Sequence, residues 1–342
     1  MHPGSPSTHA LESPDSGRPE VSVVMSVYNG ARYLRESVDS ILTQEGVDFE
    51  FIIIDDGSTD ESPQILDEYA AHDPRVRVIH QENTGLTRAL IRVCAEARGE
   101  FVARQDADEV SQQNRLLLQV ELLRRDSRLG LVSCTTQYVG PAGEPLSTLS
   151  RPEDPEQATL GLLHDREGPP AHGSVMFRRS LYEQVGGYRP EFYFGQDSDL
   201  WLRMAERSLI GYRRECLVST PRSATSLSGA YADAQKRFGE LGQQCREARS
   251  TGRSEEPLLA EARVLRDAIA SRRNSSGAAR GTAGSAMNYL LGSQLLRNGD
   301  RRARRYLLAT IRRSPWHWRA WVRLAQSLLL RRGAVPVINL DD

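Results

Sequence analysis

From residue 21 onward, runs of β-branched and aromatic residues alternate with stretches in which apolar positions recur every three or four residues. Residues 21–27 (VSVVMSV) read as a buried strand ended by Tyr28-Asn29-Gly30, and residues 31–42 set Leu34, Val38, Ile41 and Leu42 on one helical face. The alternation repeats with strands at 51–54, 75–79 and 100–104 and helices at 60–69 and 85–97. Strand, helix, strand, helix predicts a mostly parallel sheet covered on both faces, an α/β fold.

After Asp108 the pattern loosens. A helix is expected at 114–125, a strand at 130–134, and a Pro/Gly-bearing loop at 140–155 able to cover an acceptor. A strand at 173–177, a short helix at 179–185, and a Gly186-Gly187-Tyr188 turn follow, and Gln196-Asp197-Ser198-Asp199 opens a helix over 200–207. Beyond about residue 228 every segment reads as helix: 230–248, 255–269, then a Ser/Gly/Ala/Arg linker at 271–285, then two or three amphipathic helices over 287–330. The last group has a tetratricopeptide-like cadence, in one unit too short for a solenoid. The expected organisation is a tail (1–19), an α/β domain (20–228), a helical extension (229–270), the linker, a helical annex (286–333) and a tail (334–342).

Charge refines this picture. The formal net charge of -1 hides an Arg-rich stretch at 297–332 that is nearly free of acid and suits an anionic partner. Trp316, Trp318 and Trp321 alternate there with Arg312, Arg313, Arg319 and Arg323. Two readings compete: a membrane-interface segment, or a helical hairpin that buries its tryptophans and exposes its arginines, which is favoured. Nucleic acid is an unlikely partner. No apolar run has the length of a membrane span, the N-terminal segment lacks the apolar core of a secretory signal, and the cysteines Cys94, Cys134, Cys216 and Cys245 show no C-x-x-C spacing. Free buried thiols and a cytoplasmic location, peripheral to a membrane if the Arg/Trp segment meets one, are expected.

The chemistry sits in two acidic strings that directly follow strands: Asp55-Asp56-Gly57-Ser58-Thr59-Asp60 and Asp106-Ala107-Asp108-Glu109. In an open parallel sheet, the C-terminal strand ends are where ligands bind. An Asp-x-Asp pair offers hard oxygen donors to Mg²⁺ or Mn²⁺, which keep positions open for substrate phosphates. A divalent-metal, nucleotide-diphosphate site is expected. Each string also has a plainer reading, the first as a turn and helix cap, the second as a solvated loop. Asp197 or Asp199 could equally cap a helix, Trp201 reads as core, and His172 as a structural group that could instead touch acceptor or donor.

Taken together, five motifs occur in one order: VSVVMSVYNG at 21–30, Ile53-Ile54-Asp55-Asp56-Gly57-Ser58-Thr59-Asp60, Asn83-Thr84-Gly85-Leu86, Arg104-Gln105-Asp106-Ala107-Asp108, and Gly186-Gly187-Tyr188 followed by Gln196-Asp197-Ser198-Asp199-Leu200-Trp201. Over residues 20–228 this succession resembles the family 2 glycosyltransferases. The resemblance implies a GT-A fold with a mixed, mostly parallel sheet, a nucleotide-sugar donor, a divalent cation, and inversion at the anomeric carbon. It implies that Ser26, Tyr28 and Asp55 line the nucleotide pocket, with Tyr28 near the base and Asp55 accepting a base N–H. A carboxylate acceptor suits the imide N–H of uracil or thymine, which favours a UDP- or dTDP-sugar. It further implies Asp106 near the ribose, Asp108 on the metal, Arg88 near donor phosphates, and Asp197 as the base that deprotonates a glycan or lipid-linked acceptor.

Two positions depart from the family pattern. Gln196 stands where Glu is usual and could contact the acceptor, and Arg222-Ser223-Ala224 occupies a segment that often holds a metal-proximal His. Glu109 replaces a common Asp. A nucleotidyltransferase is disfavoured because no Gly-rich, basic phosphate loop follows the first strand. The remaining alternative is a non-catalytic nucleotide-sugar or glycan scaffold using the helical annex to bind a partner.

Overall fold

A computed structural model describes residues 17–164, 169–221, 232–275 and 280–328. The Arg222-Ser223-Ala224 segment, residues 1–16 and residues 334–342 fall outside them. The first half is β1 (Val21–Val27), α1 (Ala31–Leu42), β2 (Phe49–Asp56), α2 (Ser62–His72), β3 (Val76–Gln81), α3 (Leu86–Ala95) and β4 (Phe101–Arg104). These strands pair in parallel in the order β3-β2-β1-β4. All eight residues of β2 are buried, as expected of a central strand covered on both faces.

Side-chain alternation decides which core each residue enters. Val21, Val23, Met25, Val27, Phe51 and Ile53 pack against α1 and α2, while Val24, Ile52 and Ile54 pack against Ala89, Leu90 and Val93 of α3.

The rest of the domain is β5 (Val110–Ser111), α4 (Arg115–Arg125), β6 (Leu129–Val139), β7 (Pro145–Leu149), α5 (Pro155–Leu163), a single 3-10 turn (His172–Ser174), β8 (Met176–Arg178), α6 (Arg179–Gln184), α7 (Gln196–Ala205) and β9 (Leu209–Pro221). The sheet continues β4-β8-β6-β9-β5, with β7 added to β6. Here β8, β7 and β5 run antiparallel to their neighbours, so the sheet is mixed beyond β4. Trp201 of α7 is fully buried in the core that α3 shares with this half.

The stretch expected as a loop at 140–155 holds β7 and leads into α5. β7 escapes the apolar pattern because only Leu146 is buried along it. Strand β9 gave no periodic signal because solvent-exposed Arg214, Glu215 and Cys216 interrupt it, where its pairing with β6 shifts register near Cys134 and Thr135. Cys216 is accordingly exposed, whereas Cys94, Cys134 and Cys245 are buried; all four are free thiols.

Four helices carry the described C-terminal region after α8 (Ala232–Ser250): α9 (Glu256–Ser275), α10 (Arg280–Arg297), α11 (Ala303–Arg313) and α12 (Trp318–Leu328). The stretch read as a linker at 271–285 is helical on both sides of residues 276–279; its Ala and Arg residues are good helix formers, which outweighs its Ser and Gly. Helices α8 and α9 dock on the domain through Phe238, Leu241, Cys245, Ala262 and Ile269, packed on Phe192 and Phe194. Helices α10 and α11 dock at β7, with α12 packed on both: Leu146 joins Met287, Leu291, Leu295 and Leu307, Asn298 Nδ2 donates to the carbonyls of Pro145 (3.1 Å) and Leu146 (2.6 Å), and the buried Glu144, just before β7, accepts from Tyr306 (2.9 Å) and pairs with Arg305.

The favoured reading of the Arg/Trp segment fails for its tryptophans and for Arg323, while Arg312, Arg313 and Arg319 are exposed as expected. Trp316, Trp318 and Trp321 are 95%, 61% and 51% exposed, and Arg323 is fully buried.

Candidate functional site

The sheet register aligns the C-terminal ends of the parallel strands. Val27 sits opposite Asp55 and Asp55 opposite His80, so the loops after β1 and β2 meet at one edge. They are stitched together by side chains: Ser58 Oγ accepts from the Asn29 N–H (2.9 Å), Asn29 Oδ1 accepts from the Thr59 N–H (2.8 Å), Ser62 Oγ accepts from the Gly30 N–H (3.0 Å), and Asp60 Oδ2 accepts from the Ala31 N–H (3.1 Å). Gly57 turns this loop at φ +76°, and a Cβ there would lie 2.7 Å from the Asn83 nitrogen. Only glycine satisfies both demands. Tyr28 stands at the rim, 44% exposed, and Ser26 is half-buried beneath it on β1.

The neighbouring carboxylates divide their work. Asp56 holds the next loop, accepting from Gln81 Nε2 (2.6 Å), the Thr84 N–H (2.8 Å) and the Gly85 N–H (2.9 Å), which fixes the start of α3 and hence the exposed Arg88. Asp55 is 3% exposed. Its Oδ1 accepts from the Ser58 N–H (3.0 Å) and its Oδ2 lies 2.9 Å from His80 Nδ1. Each oxygen keeps a lone pair for a further donor. His80, whose Nε2 lies 3.0 Å from Asp67, is raised above its ordinary pKa, first by the Asp55 hydrogen bond and then by Asp67.

Beyond β4, Arg104 is fully buried and reaches in three directions. Its Nη1 donates to the Val24 carbonyl (2.8 Å), its Nη2 to Asp106 Oδ1 (2.5 Å), and its Nε to His172 Nε2 (3.2 Å). The Tyr188 hydroxyl lies 2.8 Å from the same His172 nitrogen. That nitrogen is therefore an acceptor, and burial followed by the Arg104 charge lowers the imidazole pKa. Burial and Arg104 favour neutral His172 against the charges of Asp106 and Asp197, which both act on it in the opposite direction.

Asp108 is reached by solvent, yet the surrounding protein strips much of its hydration. That loss, followed by the Asp106 charge, pushes its carboxyl up to about 6. Glu109 is buried with Oε1 accepting from Thr220 (2.8 Å), while Oε2 has no hydrogen-bond partner. Burial, followed by Asp106, raises it as well. Three crowded carboxyl groups with one orphaned oxygen form a set that a cation relieves. Among the described residues no group of three or more His, Cys, Asp or Glu side chains could hold a metal alone; Asp108 fits a Mg²⁺ or Mn²⁺ that takes its other ligands from water and substrate phosphates.

Asp197 is the second residue of α7, after Gly195 at φ +65°. Half-buried, it accepts among the described residues only from the adjacent Ser198 N–H (2.9 Å). It lines a cavity of about 420 Å³ with Gln196, Arg88, Phe192, Tyr193 and Phe194, to which Gln235, Gly239 and Arg266 of the helical extension also contribute. Asp199 neither caps the helix nor faces this cavity. It is buried and accepts from Arg203 Nε (3.0 Å) and Nη2 (2.6 Å), and Arg189, 3.5 Å away, continues the network to Glu255.

The structure thus brings Ser26, Tyr28 and Asp55 to one strand edge, Asp106 and Asp108 to the next, and Gln196, Asp197 and Arg88 around one cavity, with His172 between. Sequence reasoning missed His80, Arg104 and the aromatic wall at 192–194. His80 could be found by aligning strand ends; Arg104 gave no signal, because a buried arginine inside a strand reads as exposed.

This geometry has relatives. The chain matches Glycosyl transferase family 2 over residues 22–186. It is 35% identical over 198 residues to the putative glycosyltransferase EpsE of Bacillus subtilis (strain 168), spanning 57% of this chain and 69% of EpsE. The chain belongs to glycosyl transferase family 2. This family 2 glycosyltransferase is also 28% identical over 190 residues to a chondroitin synthase of Pasteurella multocida (strain Pm70), covering 55% of this chain but only 19% of the synthase. Among solved structures, a mannosyltransferase from Pyrobaculum calidifontis in complex with GDP-Man and Mn²⁺ aligns at TM-score 0.52 and 19% identity, covering 92% of this chain and 86% of that one. S. aureus TarS 1-349 in complex with UDP-GlcNAc aligns at TM-score 0.53 and 16% identity, covering 90% and 89%. At that identity the likeness establishes the GT-A fold. Asp197 and the helical extension lie beyond the residues matched to the family.

Proposed function

We propose that this family 2 glycosyltransferase is an inverting enzyme that moves a sugar from a UDP- or dTDP-sugar to a hydroxyl of a glycan or lipid-linked acceptor. One observation carries the reading: Asp197, which among the described residues accepts only from the Ser198 N–H at its own helix start, lines the cavity that also holds Arg88 and the aromatic residues 192–194. The acceptor occupies that cavity, its rings against Phe192, Tyr193 and Phe194, its polar groups toward Gln196, Gln235 and Arg266. The α/β domain at 20–228 supplies the donor side and the helical extension contributes to the acceptor side.

On the donor side, Tyr28 lies along the base and Asp55 accepts the imide N–H of the pyrimidine, held in place by Ser58 and His80. Ser26 borders the same pocket. Asp106, fixed by Arg104, meets the ribose, and Arg88 meets the phosphates. Asp108 would hold Mn²⁺ or Mg²⁺, as the Mn²⁺ in the mannosyltransferase relative suggests; when bound, the cation supplies charge stabilisation to the departing diphosphate.

The acceptor oxygen attacks the anomeric carbon from the face opposite the leaving group, and its proton passes to the Asp197 carboxylate. The bond between that carbon and the diphosphate oxygen breaks, its electron pair leaving with the nucleotide. Asp197 sits in the first turn of α7, where the helix dipole favours negative charge. His172, neutral and bonded to Tyr188, steadies the Arg104 guanidinium that holds Asp106 and takes no proton.

Calorimetric titration of UDP, dTDP and GDP, with and without Mn²⁺, into wild type and Asp108→Asn tests the reading. Metal-dependent binding of a pyrimidine nucleotide, lost in the variant, is expected. Preference for GDP would overturn the base assignment, and no binding by folded protein would overturn the donor site.

A further inference from the structure

Helix α12 turns its tryptophans outward. Its buried residues are Ala320, Arg323 and Ser327, with Leu324 partly buried against the α10–α11 core, while Trp318, Trp321, Val322 and Leu328 are 61%, 51%, 36% and 64% exposed. A surface helix ordinarily turns its apolar stripe to the core. The exposure is not a loose end, because the segment before the helix is tied down: Trp321 Nε1 donates to the Pro315 carbonyl (2.9 Å), the His317 ring packs on Tyr289 at 4.6 Å, and Ser314 Oγ lies 3.1 Å from Ser285 Oγ. Trp316 is held out on this loop at 95% exposure.

Charge decides what meets this face. Arg312, Arg313 and Arg319 are exposed beside the tryptophans, with the Arg319 guanidinium 5.6 Å from the Trp318 ring. No Asp or Glu occurs from residue 301 to 328. A two-fold interface with a second copy would set arginine clusters against each other. An acidic lipid surface does the reverse: indole rings seat at the headgroup level while guanidinium groups meet phosphates. Among the described residues no helix is long and apolar enough to cross a membrane, so contact is from the side.

We propose that the Trp316, Trp318, Trp321 and Leu328 face, flanked by Arg312, Arg313 and Arg319, docks the enzyme onto an anionic lipid surface. The helical annex is then a membrane foot, clamped to the catalytic domain by Tyr306 on Glu144 and by Asn298 on the Pro145 carbonyl of β7. This docking is independent of which nucleotide the donor site takes.

The test is flotation of the full chain with vesicles of equal parts phosphatidylglycerol and phosphatidylcholine, and with phosphatidylcholine alone. Wild type is expected to float with the anionic vesicles, less so at high salt. Trp316→Ala/Trp318→Ala should abolish flotation with unchanged circular dichroism and donor binding, since both rings project into solvent. Arg312→Gln/Arg313→Gln should weaken it about tenfold or more, each basic group at such a surface contributing roughly fivefold. No flotation of folded wild type overturns the proposal, as does flotation unchanged in both variants. A dimer without lipid that the Trp variant dissociates, or tryptophans shielded from iodide in the lipid-free monomer, would also overturn it, assigning the face to a second copy or to the chain's own residues.

Discussion

His80 Nδ1 stands 2.9 Å from Asp55 Oδ2, placed there by the β2–β3 register that makes the two residues direct neighbours. The pair ties the proposed base-binding carboxylate to an imidazole whose protonated form the fold favours. His80 is raised above its ordinary pKa by Asp55 and Asp67, so it binds its proton more tightly in the folded state. Its contribution is complete below the unfolded value of about 6.5 and is lost as pH rises through the higher folded value. The side chain is 43% exposed, so screening holds the effect below about 1 kcal/mol. Urea midpoints measured across this window should fall in wild type and fall less in His80→Gln; equal slopes would show that the pair does not couple to folding.

The Asp108 carboxyl, pushed up to about 6 by lost hydration and the Asp106 charge, gives the opposite dependence for metal. A proton and a cation compete for it, so Mn²⁺ affinity in the presence of nucleotide should drop as pH falls through about 6. Asp108→Asn should remove both the affinity and its pH dependence. Chelation of the metal should abolish transfer in wild type. Electron paramagnetic resonance of free Mn²⁺ reads the binding directly, and a pH-independent affinity would count against Asp108 as the ligand.

The parallel half of the sheet was legible because fully buried strands such as β2 write continuous apolar runs and their helices write a 3.6-residue period. The carboxylates were legible because Asp55, Asp56, Asp106 and Asp108 have no packing reason to follow such runs. Legibility failed where pairing rather than burial defines a strand: β7 buries only Leu146 and β9 carries a charged bulge. It failed again at α12, where the hydrophobic pattern correctly announces an amphipathic helix but cannot say which face turns inward. The partnerships of Arg104 with His172 and of Asp55 with His80 span 68 and 25 residues, and only the folded chain brings them together.

Asp197 and Asp199 lie two residues apart on α7, and the helix points them to different tasks. Asp197→Asn removes the proposed proton acceptor while keeping the side-chain shape. Turnover should fall by about 10²–10⁴, with nucleotide affinity and the unfolding midpoint unchanged. Retained turnover in a sensitive nucleotide-release assay would transfer the base role elsewhere.

Asp199→Ala should give the reverse pattern. Its carboxylate is buried and neutralises Arg203, which is itself 4% exposed on its side chain. Removing one member of a buried pair leaves the other charge without compensation, which costs about 3–5 kcal/mol. Arg189 would also lose the contact that links α7 to Glu255 and through it to Arg249 of α8. The loss should therefore appear as a lower urea midpoint and earlier proteolysis of α8 and α9. Asp199→Asn, which retains hydrogen-bond acceptors, should recover part of the stability. If Asp199→Ala unfolded like wild type but lost turnover, the two aspartates would have to exchange roles.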